Sequence, residues 1–203
     1  MSESSTPKHR LGPQRNPEID AAVLAATRAL LIENGYAGVS IDAIAKRANV
    51  GRPTIYRRWP SKAHIVHEAV YPVLDFESAP DFELDGTVAE DVTRLIEGAV
   101  ALFGDPATRA AAPGLMYESR TDDDLRKVLV TDQLERIRAA LALRIQQATD
   151  SGELRAGVDA DAVLDIVAGA SIFALSVRDV ADSQRLAASL VDVVLHGILA
   201  PDP

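Results

Sequence analysis

Five basic residues crowd the positions from Lys46 to Arg58, and a sixth, Lys62, follows closely. Such side chains neutralise phosphate, and the arginine fork also matches the paired acceptors O6 and N7 of guanine. Arg52 and Arg57 are the candidates for that base contact; Arg57 could equally serve as a salt-bridge partner. Arg58 and Lys62 add phosphate charge. Pro53 offers an apolar edge to a thymine methyl group, and Thr54 and Tyr56 offer hydroxyls to phosphate oxygens. Ser40 would cap a helix whose free N–H groups orient another phosphate. Each residue also has a plain structural reading as a cap, a helix start or a packing group. Taken together on and around one short segment, Ser40, Arg52, Pro53, Thr54, Tyr56, Arg57, Arg58 and Lys62 favour contact with duplex DNA.

Three short helices must position them. The first is expected from Pro17, with Glu18 and Asp20 complementing the helix dipole and Ile19, Val23, Ala26 and Leu30 at helical spacing. Asn34-Gly35 ends it. Ser40 opens the second helix, which turns Ile41, Ile44 and Ala45 inward and stops at Asn49, a residue tolerant of positive φ. The third begins near Arg52-Pro53 and cannot pass Pro60. Ala45 and Ala48 let the second and third helices approach closely, while Val50 and Ile55 anchor them. Two helices separated by a tight turn make a helix-turn-helix. Ser61 then caps a fourth helix to about Leu74.

The whole chain speaks against nucleic acid until its charge is divided. Its 203 residues hold 21 Lys and Arg against 30 Asp and Glu, a net charge of −9. Up to His67 there are ten basic and five acidic residues, hence +5; the rest has eleven against 25, hence −14. A basic module is joined to an acidic body that phosphate repels. Residues 1–16 read as a disordered basic arm, 17–61 as the DNA-binding domain and 62–203 as the body.

From Gly86 onward the pattern is helical almost throughout. Residues 75–85 read as an acidic loop. Helices are expected over Thr87–Phe103, from Asp105-Pro106 to a stop at Pro113-Gly114, from Thr121 to a break near Thr131-Asp132, over Gln133–Ala148, over Asp159–Val177 and over Asp182–Leu199. The fold class is all-α, with about nine helices in two parts. Val163, Val167, Ala170, Ala174 and Val177 repeat at bundle-like spacing, and Leu186, Leu190, Val193, Val194 and Gly197 form a second stripe. These helices either close the core or form a homodimer face; a lone helix-turn-helix gains specificity by pairing half-sites, which favours the dimer.

The stretch Val39 to Lys62 (VSIDAIAKRANVGRPTIYRRWPSK) resembles the N-terminal signature of the TetR family of bacterial transcriptional repressors. The resemblance covers about residues 17–74; downstream it rests on helix number and length. It implies that Tyr56 and Lys62 hold the DNA backbone, that Arg52, Pro53 and Arg57 meet base edges, and that Thr54 and Arg58 contact the backbone. Trp59 stands where the family usually has phenylalanine, and Asn49 and Gly51 where it more often has glycine and serine. The resemblance also implies a homodimer, and an effector cavity within the central helices. Leu95, Ala99, Leu102, Phe103, Leu115, Met116, Tyr117, Leu134, Ile137, Leu141 and Phe173 are its candidate lining, each with an ordinary core reading beside it. With few aromatics an apolar small molecule is expected, unless acids such as Glu97 or Glu118 select a cation. The implied mechanism is a dimer with two recognition helices about 34–36 Å apart in successive major grooves, released when a ligand selects another spacing.

Other classes find less support. Zero cysteine excludes a disulfide scaffold, a thiolate metal site and a cysteine nucleophile. His9 and His196 are isolated, and His64 and His67 lack an evident third metal ligand. Asp122 to Asp124 read as a helix start. No phosphate-binding glycine loop or nucleophile elbow is present. No enzyme, metal or cofactor is expected; an all-α enzyme, or an adaptor with a silent helix-turn-helix, is the alternative. No apolar run of about 18 residues and no signal peptide are read, so the expectation is a cytoplasmic protein without a membrane span.

Overall fold

The computed structural model describes residues 17–71, 86–130 and 132–198. The basic arm, the acidic stretch 75–85 and the expected helix end near Leu74 lie outside them. The N-terminal part holds α1 (Pro17–Gly38), α2 (Ile41–Ala48), α3 (Arg52–Tyr56) and α4 (Lys62–Val70). The body holds α5 (Val88–Gly104), α6 (Pro106–Glu118), α7 (Asp123–Val130), α8 (Asp132–Asp150), α9 (Ala160–Ile172) and α10 (Ser183–Ile198). A π-helical turn, Phe173–Val177, continues α9. The described helices number ten, in line with an expected total of about nine, and the all-α class holds.

The local signals act as their chemistry requires. Ser40 Oγ accepts from the Ala43 N–H at 3.2 Å, and Ser61 Oγ from that of His64 at 3.4 Å. Thr87 and Glu90 form a reciprocal capping box at the start of α5. Asp105 Oδ1 accepts from the N–H groups of Ala107 and Thr108. Asn49 ends α2 in the left-handed region, φ 53° and ψ 44°. Gly35, at φ 65° and ψ 176°, leaves the helical conformation and bends α1 before Tyr36, a backbone state open almost only to glycine.

One stop signal misleads. Pro113-Gly114 does not end α6, which runs on to Glu118. A proline inside a helix loses a hydrogen bond and crowds the preceding turn, and packing overrides that cost here. Ala111, Ala112 and Leu115 around it are buried at 0–1% exposure. Gly114 makes room for a neighbour instead. A Cβ there would lie 2.3 Å from the ring of Tyr36, so only glycine lets that ring rest on α6.

Two hydrophobic cores form. The first gathers Val23, Leu31, Ile44, Ile55, Trp59, Ile65 and Val66 from α1 to α4 with Ala107, Ala111, Leu115 and Leu125 of α6 and α7. It therefore does not stop at residue 61. The second joins α5, α8, α9, the π turn and α10 through Val92, Ile96, Phe103, Leu141, Val167, Leu175 and Val194. Polar ties reinforce the junctions. Arg28 of α1 donates to the Ala69 carbonyl oxygen at 3.0 Å and to Asp105 Oδ2 at 2.8 Å. Burial pushes the Asp105 carboxyl up, but hydrogen bonds from Thr108 and the Arg28 guanidinium outweigh it and leave its pKa lowered. In the body, Asp91, 2% exposed, pairs with Arg144 at 2.8 Å.

By length and composition one segment, Ala160–Val177, is apolar enough to cross a membrane, contrary to the expectation that no such run exists. In the fold α9 packs against α5 and α8 as a bundle helix.

Candidate nucleic-acid interface

The reading surface is built from inside out. Ile55 of α3 is 0% exposed and plugs α3 into the first core. With a full side chain's burial worth about 1.5–3 kcal/mol, this one residue fixes the rotation of a five-residue helix that could not stand alone. The opposite face then turns to solvent: Arg52, Pro53, Tyr56 and Arg57 are exposed, Tyr56 at 57%, and Thr54 is half-buried. Pro53 occupies the first turn of α3. Ser40 is exposed at the start of α2. These six residues lie on α3, at its end and at the start of the neighbouring α2.

The basic cluster is partly spoken for by acids of the same chain. Arg47 donates to both carboxylate oxygens of Glu33, at 2.7 and 2.8 Å. Arg52 meets Asp42 at 3.0 Å with both side chains exposed. Such exposed pairs are worth little, about 0–1 kcal/mol, and yield readily to a phosphate or base. Lys46 and Arg57 form no ion pair among the described residues.

Two expected phosphate contacts are placed otherwise. Arg58 is not on the exposed face: its side chain is only 7% exposed, in an ion pair with Asp20 of α1, and it donates to the Thr54 carbonyl oxygen at 3.3 Å. It staples the end of α3 to α1, because the turn after Tyr56 carries this position back to the side of Ile55. Lys62 is 26% exposed and reaches Tyr36 and Glu118 rather than open solvent. Sequence alone does not single out Asp20, Tyr36 and Arg28 as interacting groups. The partners of Tyr36 and Arg28 lie 26 to 77 positions away, and no local pattern marks them. Trp59, 3% exposed, fills the first core as a packing residue and donates its Nε1–H to Glu68 at 2.6 Å.

The expected effector lining does not gather around one cavity. Leu95, Phe103 and Leu141 are buried in the second core, with Ala99 and Ile137 packed against it. Leu115 belongs to the first core. Leu102, Met116, Tyr117, Leu134 and Phe173 are exposed, Tyr117 at 78%. One groove formed by the described residues, about 880 Å³, lies instead between α5 and α10, bordered by Glu97, Val100, Gln184, Val191 and His196. No group of three or more His, Asp or Glu able to hold a metal occurs among the described residues.

The expected dimer stripe is split: part of it is buried within the chain and part is uncovered. Val163, Val167 and Val194 are 2–6% exposed inside their own chain and face the second core, and Ala174 is 4% exposed. The uncovered apolar face keeps the expected Val177 (62% exposed) and half-buried Ala170 and adds Ile166 (52%) and Phe173 (56%). On α10, Val193 is 66% exposed, Gly197 is exposed, and Leu186 and Leu190 are half-buried.

An exposed, partly basic reading helix set by a tight turn on an all-helical body defines a DNA-binding transcriptional regulator. Residues 23–69 match the family described as bacterial regulatory proteins, tetR family, and residues 82–194 match the tetracyclin repressor-like C-terminal domain. The chain belongs to the TetR family. An uncharacterized HTH-type transcriptional regulator of Mycobacterium tuberculosis H37Rv is 30% identical over 87% of this chain and 85% of its own length. Among solved structures, a regulator from Saccharomonospora viridis in complex with choline superposes with a TM-score of 0.71 at 23% identity, over 92% of this chain and all of that one. FadR from Bacillus subtilis in complex with stearoyl-CoA superposes at 0.69 and 19% identity, over 87% and 98%. At these identities the two structures speak for the fold.

Proposed function

We propose that the protein is a cytoplasmic repressor that binds a pseudo-palindromic operator as a homodimer and leaves it when a small, largely apolar effector binds the body. The observation that carries the DNA contact is the outward set Arg52, Pro53, Tyr56 and Arg57 on a helix locked by Ile55. Arg52 and Arg57 read base edges with Pro53, and Ser40, Thr54, Tyr56 and Lys62 hold phosphates. Arg58 is left out of this interface and assigned to the staple with Asp20. Residues 17–61, joined by Lys62 at the start of α4, read DNA, and the body from 62 to 203 otherwise carries the partner and effector surfaces.

The dimer reading rests on Ile166, Ala170, Phe173 and Val177 with Leu186, Leu190, Val193 and Gly197, an apolar surface that a monomer would leave in water. Only 28% of the residues of Ala160–Val177 are buried within the chain, and a second copy is the two-fold partner that a palindrome requires. For the effector, choline and stearoyl-CoA in the two neighbours support a small-molecule site in this kind of body. The apolar cluster Leu95, Ala99, Phe103, Ile137 and Leu141 is where we place it.

The test is selection of bound sequences from random duplex DNA, followed by a salt titration on the recovered site. A two-fold palindrome whose affinity falls steeply with salt is expected, because each neutralised phosphate releases counterions. A single unpaired half-site would overturn the dimer, and binding flat in salt would overturn the phosphate contacts.

A further inference from the structure

Lys62, first residue of α4, is engaged by two other elements. Its Nζ lies 3.9 Å from the centroid of the Tyr36 ring, donates to the Tyr36 carbonyl oxygen at 3.4 Å, and stands 3.8 Å from Glu118 Oε1. The cage is well supported. Tyr36 follows the bend at Gly35, and its ring rests on Gly114, where any Cβ would collide with it. Burial, and then the Glu118 carboxylate, push the Tyr36 phenol up, so it stays protonated. Glu118 is the last residue of α6, a helix of the body. A cation held by an aromatic face, a carbonyl and a carboxylate gives up those contacts if it turns to phosphate.

We infer that Glu118 is an intramolecular competitor for the DNA backbone: it and Tyr36 hold Lys62 in the free protein, and DNA binding exchanges this cage for a phosphate. The inference rests on the reading of Lys62 as a phosphate contact. It makes the end of α6 a direct term in DNA affinity. Anything that draws Glu118 away from Lys62 strengthens binding, anything that presses it closer weakens binding, and DNA in turn loosens the end of α6 by linkage.

The experiment is a double-mutant cycle on the full chain, titrated with fluorescent random-sequence duplex at about 50 mM salt, where non-specific phosphate contacts dominate. The four proteins are wild type, Glu118→Gln, Lys62→Met and the double variant. Glu97→Gln on α5 serves as a control that removes the same charge elsewhere. Glu118→Gln is expected to bind about two- to five-fold tighter than wild type, the range of one exposed ion pair. That gain should vanish in the Lys62→Met background and be absent from Glu97→Gln. Glu118→Ala removes the same carboxylate and should behave alike if the amide perturbs the helix end. Tightening that survives without Lys62, or that Glu97→Gln reproduces, would make it a field effect and overturn the competition, as would no tightening at all. If wild type itself fails to bind duplex, the DNA reading falls and takes the inference with it. Wild-type binding with a flat cycle removes the inference alone.

Discussion

α3 and the α9 segment both leave one face uncovered, but the two faces are made differently. α3 turns arginine, proline and tyrosine outward and hides a single isoleucine. α9 and its π turn expose isoleucine, phenylalanine and valine while burying valine, leucine and alanine on the other side. The first face is suited to a hydrated, charged groove and the second to another apolar surface. The difference also governs what a sequence can reveal. On α3 a shift of one position would swap Ile55 for a threonine or a tyrosine, so the inward side is unambiguous. On α9 the buried stripe is as apolar as the uncovered one.

The sharpest way to break this picture is at Arg58. If it staples α3 to α1, Arg58→Ala removes a largely buried ion pair with Asp20 and costs about 1.5–3 kcal/mol, the range of a hydrogen bond to a charged group. Arg57→Ala, one position earlier and exposed, should stay within about 0.5 kcal/mol of wild type and weaken DNA binding instead. Denaturant unfolding of the two variants decides. Equal stabilities would return Arg58 to the DNA face. The apolar face is tested next. Phe173→Glu, on the uncovered stripe, should weaken self-association by about 2 kcal/mol or more, as a central interface residue does. Val167→Ala, on the buried stripe, should lower unfolding stability and leave association unchanged. Sedimentation that shows the reverse pattern would restore the stripe expected from the sequence.

These cases show why one part is legible and the other is not. Ser40, Asn49 and Ile55 announce themselves by type, since few residues cap a helix, tolerate a left-handed turn or plug a core from an otherwise polar segment. The helix-turn-helix and most of its outward residues follow from that. Arg58 escapes such reasoning because its partner Asp20 is 38 positions away and already has a sufficient explanation as a dipole residue. In the body the helices are legible and their facing is not. Val163–Val167–Ala170–Ala174–Val177 and Ile166–Ala170–Phe173–Val177 have equally good bundle spacing, and the packing of α5 and α8 decides which of these positions are buried. Pro113-Gly114 misleads for a related reason: the glycine makes room for a ring 78 residues away in sequence rather than marking a helix end.

A smaller effect is expected at Arg52. Its pair with Asp42 is exposed, so Arg52→Ala should barely change stability. It should cost about 1–3 kcal/mol of discrimination against a wrong base, read as a flattened preference in competition binding. Lys62→Ala should instead weaken all sequences alike. Uniform weakening by both variants would remove Arg52 from the base-reading set.

The joint between the two regions gives the smallest effect and a defined sign. His67 of α4 stacks beside Tyr71 at 5.3 Å, and Tyr71 meets Phe103 of the second core edge-on at 6.3 Å. Burial, then the nearby His64, lower the His67 pKa to about 4. The fold therefore prefers the neutral ring, whereas the unfolded chain takes up a proton near 6.5. As pH falls from about 6.5 towards 4 the unfolded state binds more protons, so stability is lost across that window and levels off below it. His67 is partly solvated, which discounts the full shift to about 1 kcal/mol by pH 5. His67→Gln cannot titrate, so the wild-type decline between pH 7 and 5 should be shallower in that variant by this amount. Parallel declines would mean that the joint between the reading helices and the body is indifferent to the charge of His67.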